Sequence, residues 1–320
     1  MAALNGVILD RDSLHPRDLD LRPLLDLARV NWHSYANTSP SQTAERIAQA
    51  DIVLTNKVLL GEAEISVASQ LKYIGVLATG TNVVDHPAAQ QRGISVNNCV
   101  AYGTASVVQH TWALILSLST HLQDYHRAAQ QDWPNSPFFS VLDYPITELA
   151  GKTLGIIGYG ELGRGVATIG RAFGMPVISA AIPGWQSDND DATPRLPLAE
   201  FLATADIISI HCPLSEQTRH LIAADEFALM KASSLLINCA RGGIVDEPAL
   251  AQALKQGLIA GAGVDVLTQE PPVDGNCLLA ADIPNLIVTP HCAWGSQAAR
   301  QRLVDQAAEK LRAFIGSVQR

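Results

Sequence analysis

The stretch Leu154-Gly155-Ile156-Ile157-Gly158-Tyr159-Gly160-Glu161-Leu162-Gly163 carries three glycines in GxGxxG spacing directly behind an apolar run. Glycines at that spacing also occur by chance, and a purely structural βα turn would carry them too. Context makes the reading: a hydrophobic strand precedes the motif and the helix-period segment Leu162–Phe173 follows it. Gly158 then permits a tight turn, Gly160 the close approach of a pyrophosphate, and Gly163 the packing of helix on strand. The helix N-terminus adds unpaired N–H donors and partial positive charge toward phosphate. A dinucleotide is the expected cofactor.

The second strand of such a unit falls in Gly174-Met175-Pro176-Val177-Ile178-Ser179-Ala180, which puts Ala181 where an acidic residue would hydrogen-bond the adenosine ribose. No Arg or Lys lies between Pro176 and Pro194 to hold a 2′-phosphate, and Asp188, Asp190 and Asp191 would repel one. These residues favour NAD without excluding NADP.

Working outward from the turn, Leu154–Gly158, Val177–Ala180, Asp206–His211, Ser234–Asn238, Gly261–Val266 and Asn285–Thr289 read as six strands. Leu198–Ala203, Asp225–Met230 and Pro248–Lys255 read as helices between them. Upstream, Gly6–Leu9, Asp51–Thr55, Tyr73–Leu77 and Ile94–Asn97 form a second strand series, with Ala44–Ala50 and Pro87–Arg92 as helices. The strands show little polar alternation, as expected when helices cover both faces of a parallel sheet. The fold class is therefore α/β, with two doubly wound, Rossmann-like or flavodoxin-like parallel-sheet domains. Thr104–Gln130, free of Gly and Pro, predicts one long helix joining the series, and Asp132–Pro145 leads on from it. The last helix, Gln297–Phe314, is expected to return to the first unit. The predicted domains are 1–100 with 295–320, discontinuous, and 101–294.

Composition narrows the partners. The 320 residues are 48% hydrophobic and 17% charged, which suits about two domains and excludes a disordered chain. Lys plus Arg is 22 against 31 Asp plus Glu, a formal charge of −9, which argues against nucleic acid or an anionic membrane surface. No apolar run reaches the ~18 residues of a membrane span; the best, Trp112–Leu118, is short. Met1–Asp10 shows no basic region or cleavage site, so a cytoplasmic protein is expected. Cys99, Cys212, Cys239, Cys277 and Cys292 are odd in number and lack zinc spacing. They read as reduced thiols in a packed interior, and no metal is expected.

Three charged residues follow the ends of predicted strands, where open α/β sheets place their chemistry. They are Arg241 in Cys239-Ala240-Arg241-Gly242-Gly243, Glu270 before Pro271-Pro272, and His291 after Thr289-Pro290. Singly, each has an ordinary reading: a surface arginine, a solvated loop acid, a histidine at a strand end. Beside a dinucleotide site they form a set suited to reducing a 2-oxo acid. Guanidinium holds a carboxylate and polarises the ketone. An imidazole protonates the developing alkoxide, and a neighbouring carboxylate favours its protonated form.

With these residues in view the sequence resembles the D-2-hydroxyacid dehydrogenases, most nearly the glycerate dehydrogenase or hydroxypyruvate reductase branch. The resemblance is carried by Thr55-Asn56-Lys57, Leu77-Ala78-Thr79-Gly80-Thr81-Asn82, Ala101-Tyr102-Gly103-Thr104 with Gln109-His110-Thr111, and Glu148 through Gly158. Its most specific blocks are Asn238 through Glu247, Asp265-Val266 with Glu270-Pro271, and Thr289-Pro290-His291-Cys292-Ala293-Trp294. It spans about Asp51 to Leu303; the first 50 residues match in pattern only.

The resemblance implies two domains with an active-site cleft between them, Arg241, Glu270 and His291 in the roles above, and backbone amides of Thr79 and Gly80 on the substrate carboxylate. Thr104, Gly158, Gly160, Glu161, Leu162, Gly163, Cys212, Thr218, Cys239, Ala240, Arg241, Asp265, His291 and Ala293 match cofactor positions. Asp265 would accept from the nicotinamide carboxamide, or else cap a neighbouring loop. NAD-using members commonly carry Asp or Glu at the place of Ala181. A homodimer through the nucleotide domain is implied, with Thr104–Gln130 at its interface. The expected reaction converts hydroxypyruvate or glyoxylate to D-glycerate or glycolate. Alternatives are a 2-hydroxy acid with a larger side chain, or a non-catalytic NAD-sensing corepressor. Trp133 and Trp294 read as pocket borders or buried packing, His211 as structural or groove-lining, and His110 as an interface or core residue.

Overall fold

The computed structural model describes residues 3–182 and 193–317. Ala181 lies inside that range; Asp188, Asp190 and Asp191 lie outside the described residues. The chain divides into two compact units, Met1–Gly103 with Gly295–Arg320, and Thr104–Trp294.

The first unit contains β1 (Leu4–Ile8), α1 (Arg22–Leu25), β2 (Val30–Ser34), α2 (Pro40–Ile47), β3 (Ile52–Thr55), α3 (Glu62–Val67), β4 (Tyr73–Val76), α4 (His86–Gln91) and β5 (Ser95–Asn98). The second begins with α5 (Thr104–Ser119) and α6 (Leu122–Gln131), then β6 (Leu154–Ile157), α7 (Glu161–Ala172), β7 (Val177–Ala181), β8 (Arg195–Pro197) and α8 (Leu198–Thr204). It continues through β9 (Ile207–Ile210), α9 (Ala224–Leu229), β10 (Leu235–Asn238), α10 (Glu247–Lys255), β11 (Gly261–Val264) and β12 (Leu286–Val288). Helix α11 (Gln297–Ser317) belongs to the first unit.

The first sheet runs β2-β1-β3-β4-β5, all parallel, the flavodoxin-like order. Every residue of β3 and β4 is buried, which explains their unbroken apolar sequence. Strand β2 was not expected. It is the half-exposed edge Val30-Asn31-Trp32-His33-Ser34, whose polar residues face away from the core. Helix α11 packs on β4 through the Tyr73 and Phe314 rings, centroids 4.8 Å apart. Buried Arg300 ties it down by donating to Asp18 at 2.8 Å and to the His15 carbonyl at 2.7 Å.

The second sheet is also parallel, ordered β12-β11-β10-β9-β6-β7-β8. Counted from β6, this is the Rossmann order 3-2-1-4-5-6 extended by a seventh strand. Strand β8, also unexpected, is a three-residue edge ending in Pro197, where a missing N–H costs no ladder bond. Helices cover both faces. Leu154, Ile156, Leu235 and Ile237 pack with Trp112 and Ile115 of α5 and Val166 of α7, while Ile157 and Leu236 pack with Phe201, Phe227 and Leu250 of α8, α9 and α10.

The long helix expected over Thr104–Gln130 is two helices. It breaks at Thr120-His121, where His121 takes φ +50 and its ring nitrogen Nδ1 lies 3.0 Å from Asp124. A left-handed histidine ends a helix without the glycine or proline that sequence reading relies on. Two of the cysteines also depart from expectation: Cys99, Cys212 and Cys239 are buried, whereas Cys277 and Cys292 are exposed. Among the described residues no helix is long and apolar enough to cross a membrane.

Candidate active site

Strands β6 and β9 are parallel neighbours, and the chain continues from them toward opposite edges of the sheet, so the loops behind them open at the switch point. The turn after β6 needs two of its glycines, Gly158 and Gly163. Gly158 sits at φ +95, and a Cβ there would lie 2.5 Å from Cys212 N. A Cβ on Gly163 would fall 2.3 Å from the carbonyl oxygen of Gly158, so glycine is what allows α7 to start tight against the turn. At Gly160 a Cβ would meet nothing within 4 Å. That open spot lies directly before Glu161, the first residue of a 12-residue helix whose leading amides have no intrahelical acceptors. The hydroxyl of Thr104 donates to Glu161 Oε1 at 2.5 Å, joining the start of α5 to the start of α7. Leu162 packs partly buried against the core.

Behind β9, His211 Nε2 meets Ser209 Oγ at 2.8 Å, while Nδ1 is buried without a hydrogen-bond partner. Burial pushes its pKa down to about 4. Thr218 folds the following loop, donating to the Pro213 carbonyl at 2.7 Å and accepting from Ser215 N at 2.7 Å. Burial pushes the Cys212 and Cys239 thiols up to about 12, which makes them poor nucleophiles. Behind β10, Asn238 accepts from Ala240 N and donates to the Arg241 carbonyl, both at 3.0 Å. This clamp exposes the Arg241 side chain, whose Nη1 donates to the Ala240 carbonyl at 2.7 Å. A Cβ on the next residue, Gly242, would lie 2.0 Å from the Leu267 carbonyl oxygen, so the loops behind β10 and β11 touch backbone to backbone.

Behind β11 and β12 the structure joins two of the predicted residues directly. His291 Nδ1 lies 2.6 Å from Glu270 Oε2, and Glu270 Oε1 accepts from Leu267 N at 2.8 Å. Nε2 is the His291 ring nitrogen that Glu270 does not engage. Asp265, 1% exposed, spends its carboxylate on the His291 loop: Oδ1 accepts from Thr289 Oγ1 at 2.6 Å and Cys292 N at 3.0 Å, and Oδ2 from Ala293 N at 2.9 Å. The loop-capping reading of Asp265 is thus visible in its contacts. Trp294 Nε1 donates to the His291 carbonyl at 3.1 Å. Trp133, by contrast, is 52% exposed, and its Nε1 donates to the Phe139 carbonyl at 2.9 Å.

The sequence reads His110 as a core or interface residue and gives no signal at Ser106. Yet His110 Nε2 lies 3.0 Å from Thr289 Oγ1, and Ser106 donates to the Ala293 carbonyl at 2.7 Å. Nothing in the local pattern of α5 marks them; only their i, i+4 spacing places both on one helix face. Potential metal-ligating atoms of His110, Asp265 and Cys292 lie within 4.8 Å of one another. In the first unit, Thr79 and Gly80 lie in the loop behind β4, where Asn98 Nδ2 donates to the Thr79 carbonyl at 2.6 Å.

The family described as "D-isomer specific 2-hydroxyacid dehydrogenase, NAD binding domain" matches residues 112–293. The chain belongs to this family. A glycerate dehydrogenase of Methylorubrum extorquens is 42% identical over 97% of this chain and 95% of its own length. A hydroxypyruvate reductase of Blautia hydrogenotrophica is 36% identical over 97% and 96%. Among solved structures, D-lactate dehydrogenase from Aquifex aeolicus, complexed with NAD and lactic acid, superposes with a TM-score of 0.81 at 28% identity, covering 98% of this chain and 96% of that one. As a 2-hydroxyacid dehydrogenase, the protein transfers a hydride between NAD(P)H and a small 2-oxo or 2-hydroxy acid. The dinucleotide fits what this dehydrogenase offers at the β6 turn, an open position at Gly160 ahead of the free amides of α7.

Proposed function

We propose that this 2-hydroxyacid dehydrogenase reduces hydroxypyruvate or glyoxylate to D-glycerate or glycolate, with NADH preferred over NADPH. The His291–Glu270 pair, 2.6 Å apart behind neighbouring parallel strands, carries the reading. The names of the two relatives above point to the same substrates. When bound, the nicotinamide supplies the hydride that reaches the carbonyl carbon of the 2-oxo acid.

The chain's own residues do the rest. His291, oriented by Glu270 through Nδ1, gives the proton on Nε2 to the carbonyl oxygen as it gains charge. Exposed Arg241 binds the carboxylate and polarises the carbonyl. Backbone amides of Thr79 and Gly80 assist with the carboxylate. Residues 101–294 hold the dinucleotide: Gly158, Gly160, Glu161, Leu162 and Gly163 at the phosphates, and Thr104, Cys212, Thr218, Cys239, Ala240, Asp265 and Ala293 along the remainder. Residues 1–100 with 295–320 serve the substrate. The absence of any Arg or Lys between Pro176 and Pro194 supports NADH, although Ala181 supplies no ribose anchor.

A homodimer through the nucleotide unit is supported by the apolar side chains beyond α6, where Phe138 is 74% and Phe139 92% exposed. Five free cysteines suit the reducing cytoplasm. The deciding experiment is a panel of small 2-oxo acids run with NADH and NADPH, following absorbance. Turnover is expected to be fastest with hydroxypyruvate or glyoxylate and NADH. A clear NADPH preference would sink the cofactor assignment, and no turnover across the panel would favour an NAD-sensing protein instead.

A further inference from the structure

Helix α5 touches the His291 loop at two points, one on each side of the histidine. Ser106 Oγ donates to the Ala293 carbonyl at 2.7 Å, and His110, one helical turn on, meets Thr289 Oγ1 at 3.0 Å. The single hydroxyl proton of Thr289 goes to Asp265 Oδ1 at 2.6 Å, so toward His110 this oxygen acts as acceptor. His110 is therefore the donor, with its proton on Nε2. The same Nε2 lies 3.5 Å from Asp265 Oδ1. The thiols of Cys239 and Cys292, raised first by burial, also feel the Asp265 charge, which raises both further.

The loop needs such a grip. His291 is held at φ +50, a conformation that a side chain with a Cβ adopts at a cost of about 1–3 kcal/mol. Its backbone N–H is fixed by the Asp265 carbonyl at 2.7 Å, and the amides of Cys292 and Ala293 by the Asp265 carboxylate. His110 and Ser106 close that frame from the helix side.

We propose that His110 and Ser106 are positioning residues that hold the His291 loop, and through it the His291–Glu270 pair, in working geometry. This rests on His291 being the proton donor of the proposed reaction. Both act as positioning residues and not on substrate, through Thr289, Ala293 and Asp265.

The test compares His110→Gln, which retains an N–H donor, with His110→Leu, which does not, alongside Ser106→Ala. Loss of positioning by a fraction of an ångström to 1 Å costs up to about 10²-fold in rate. His110→Leu is expected to lower kcat about 10- to 100-fold on hydroxypyruvate, with the NADH dissociation constant within about threefold of wild type. His110→Gln should recover most of that loss, and Ser106→Ala should fall between. A second readout needs no turnover. With 15N-histidine label, the hydrogen-bonded Nδ1–H of His291, assigned by its loss in His291→Gln, should be visible in wild type and His110→Gln and broadened away in His110→Leu. Unchanged kcat and an unchanged His291 signal in His110→Leu overturn the proposal, as does a Gln variant no better than Leu. A wild type that turns nothing over but shows the His110-dependent signal overturns the reductase assignment alone.

Discussion

Nδ1 of His291 lies 2.6 Å from Oε2 of Glu270, while the His291 backbone is left-handed at φ +50. The pair spans two loops behind β11 and β12, strands that lie side by side in parallel register. A charge-assisted bond of that length orients the ring and leaves the opposite nitrogen free for chemistry.

Replacing the ring should therefore abolish most turnover. His291→Ala is expected to lower kcat by about 10²–10⁴-fold. Glu270→Gln, which still hydrogen-bonds but carries no charge, should lower it less. Both follow from initial rates of NADH loss with saturating 2-oxo acid. A kcat within about threefold of wild type for His291→Ala would return His291 to a plain loop histidine.

Arg241 tests the carboxylate contact. Arg241→Ala should raise KM and lower kcat together, because the guanidinium serves both ground-state binding and the polarised carbonyl. Arg241→Lys should restore little, since an ammonium lacks the planar fork of donors. An unchanged kcat/KM in Arg241→Ala would leave it a surface arginine.

The three glycines of the β6 turn should separate by readout. Gly158→Ala and Gly163→Ala place a Cβ 2.5 Å from Cys212 N and 2.3 Å from the Gly158 carbonyl oxygen, so both should lose about 1–3 kcal/mol or more of stability. Gly160→Ala meets nothing within 4 Å and should keep its Tm. Its added methyl should instead obstruct the pyrophosphate and raise the NADH dissociation constant about tenfold, or ~1.4 kcal/mol. Thermal melts and fluorescence titration decide it; normal NADH binding by Gly160→Ala would remove the phosphate from this turn.

His211 predicts an acid-side loss of stability. Burial sets its folded pKa at about 4, below the unfolded value of about 6.5. Between these values the unfolded chain binds the extra proton, so stability is full above about pH 6.5 and declines as pH falls toward 4. The size is on the order of 3 kcal/mol across that window. His211→Gln, compared with wild type by urea unfolding at pH 7, 5.5 and 4.5, should show a shallower decline. Parallel curves would show that His211 is not the group responsible.

Much of the architecture was legible in the sequence because buried parallel strands are written as short apolar runs. Ile52–Thr55, Tyr73–Val76 and Leu235–Asn238 are wholly buried and stood out. The edge strands Val30–Ser34 and Arg195–Pro197 did not, since an edge tolerates polar residues and proline. The break at His121 escaped notice for a similar reason: a left-handed histidine carries no composition signal, and the 16 residues of α5 and 10 of α6 share a helical pattern.

The sequence by itself determined the order of the described strands other than β2 and β8, the glycine-bearing turn behind β6, and the placement of Arg241, Glu270 and His291 behind strands. These are local facts, set by apolar period, turn residues and where each strand stops. Only the tertiary structure decided which groups share a hydrogen bond. It paired Glu270 with His291, turned the Asp265 carboxylate onto Thr289, Cys292 and Ala293, and brought His110 to Thr289 across 179 positions of chain. The physical reason is that α5 reaches that loop by packing on β10 and β11, a contact set by side-chain fit across the sheet face. No residue pattern within α5 encodes that fit alone.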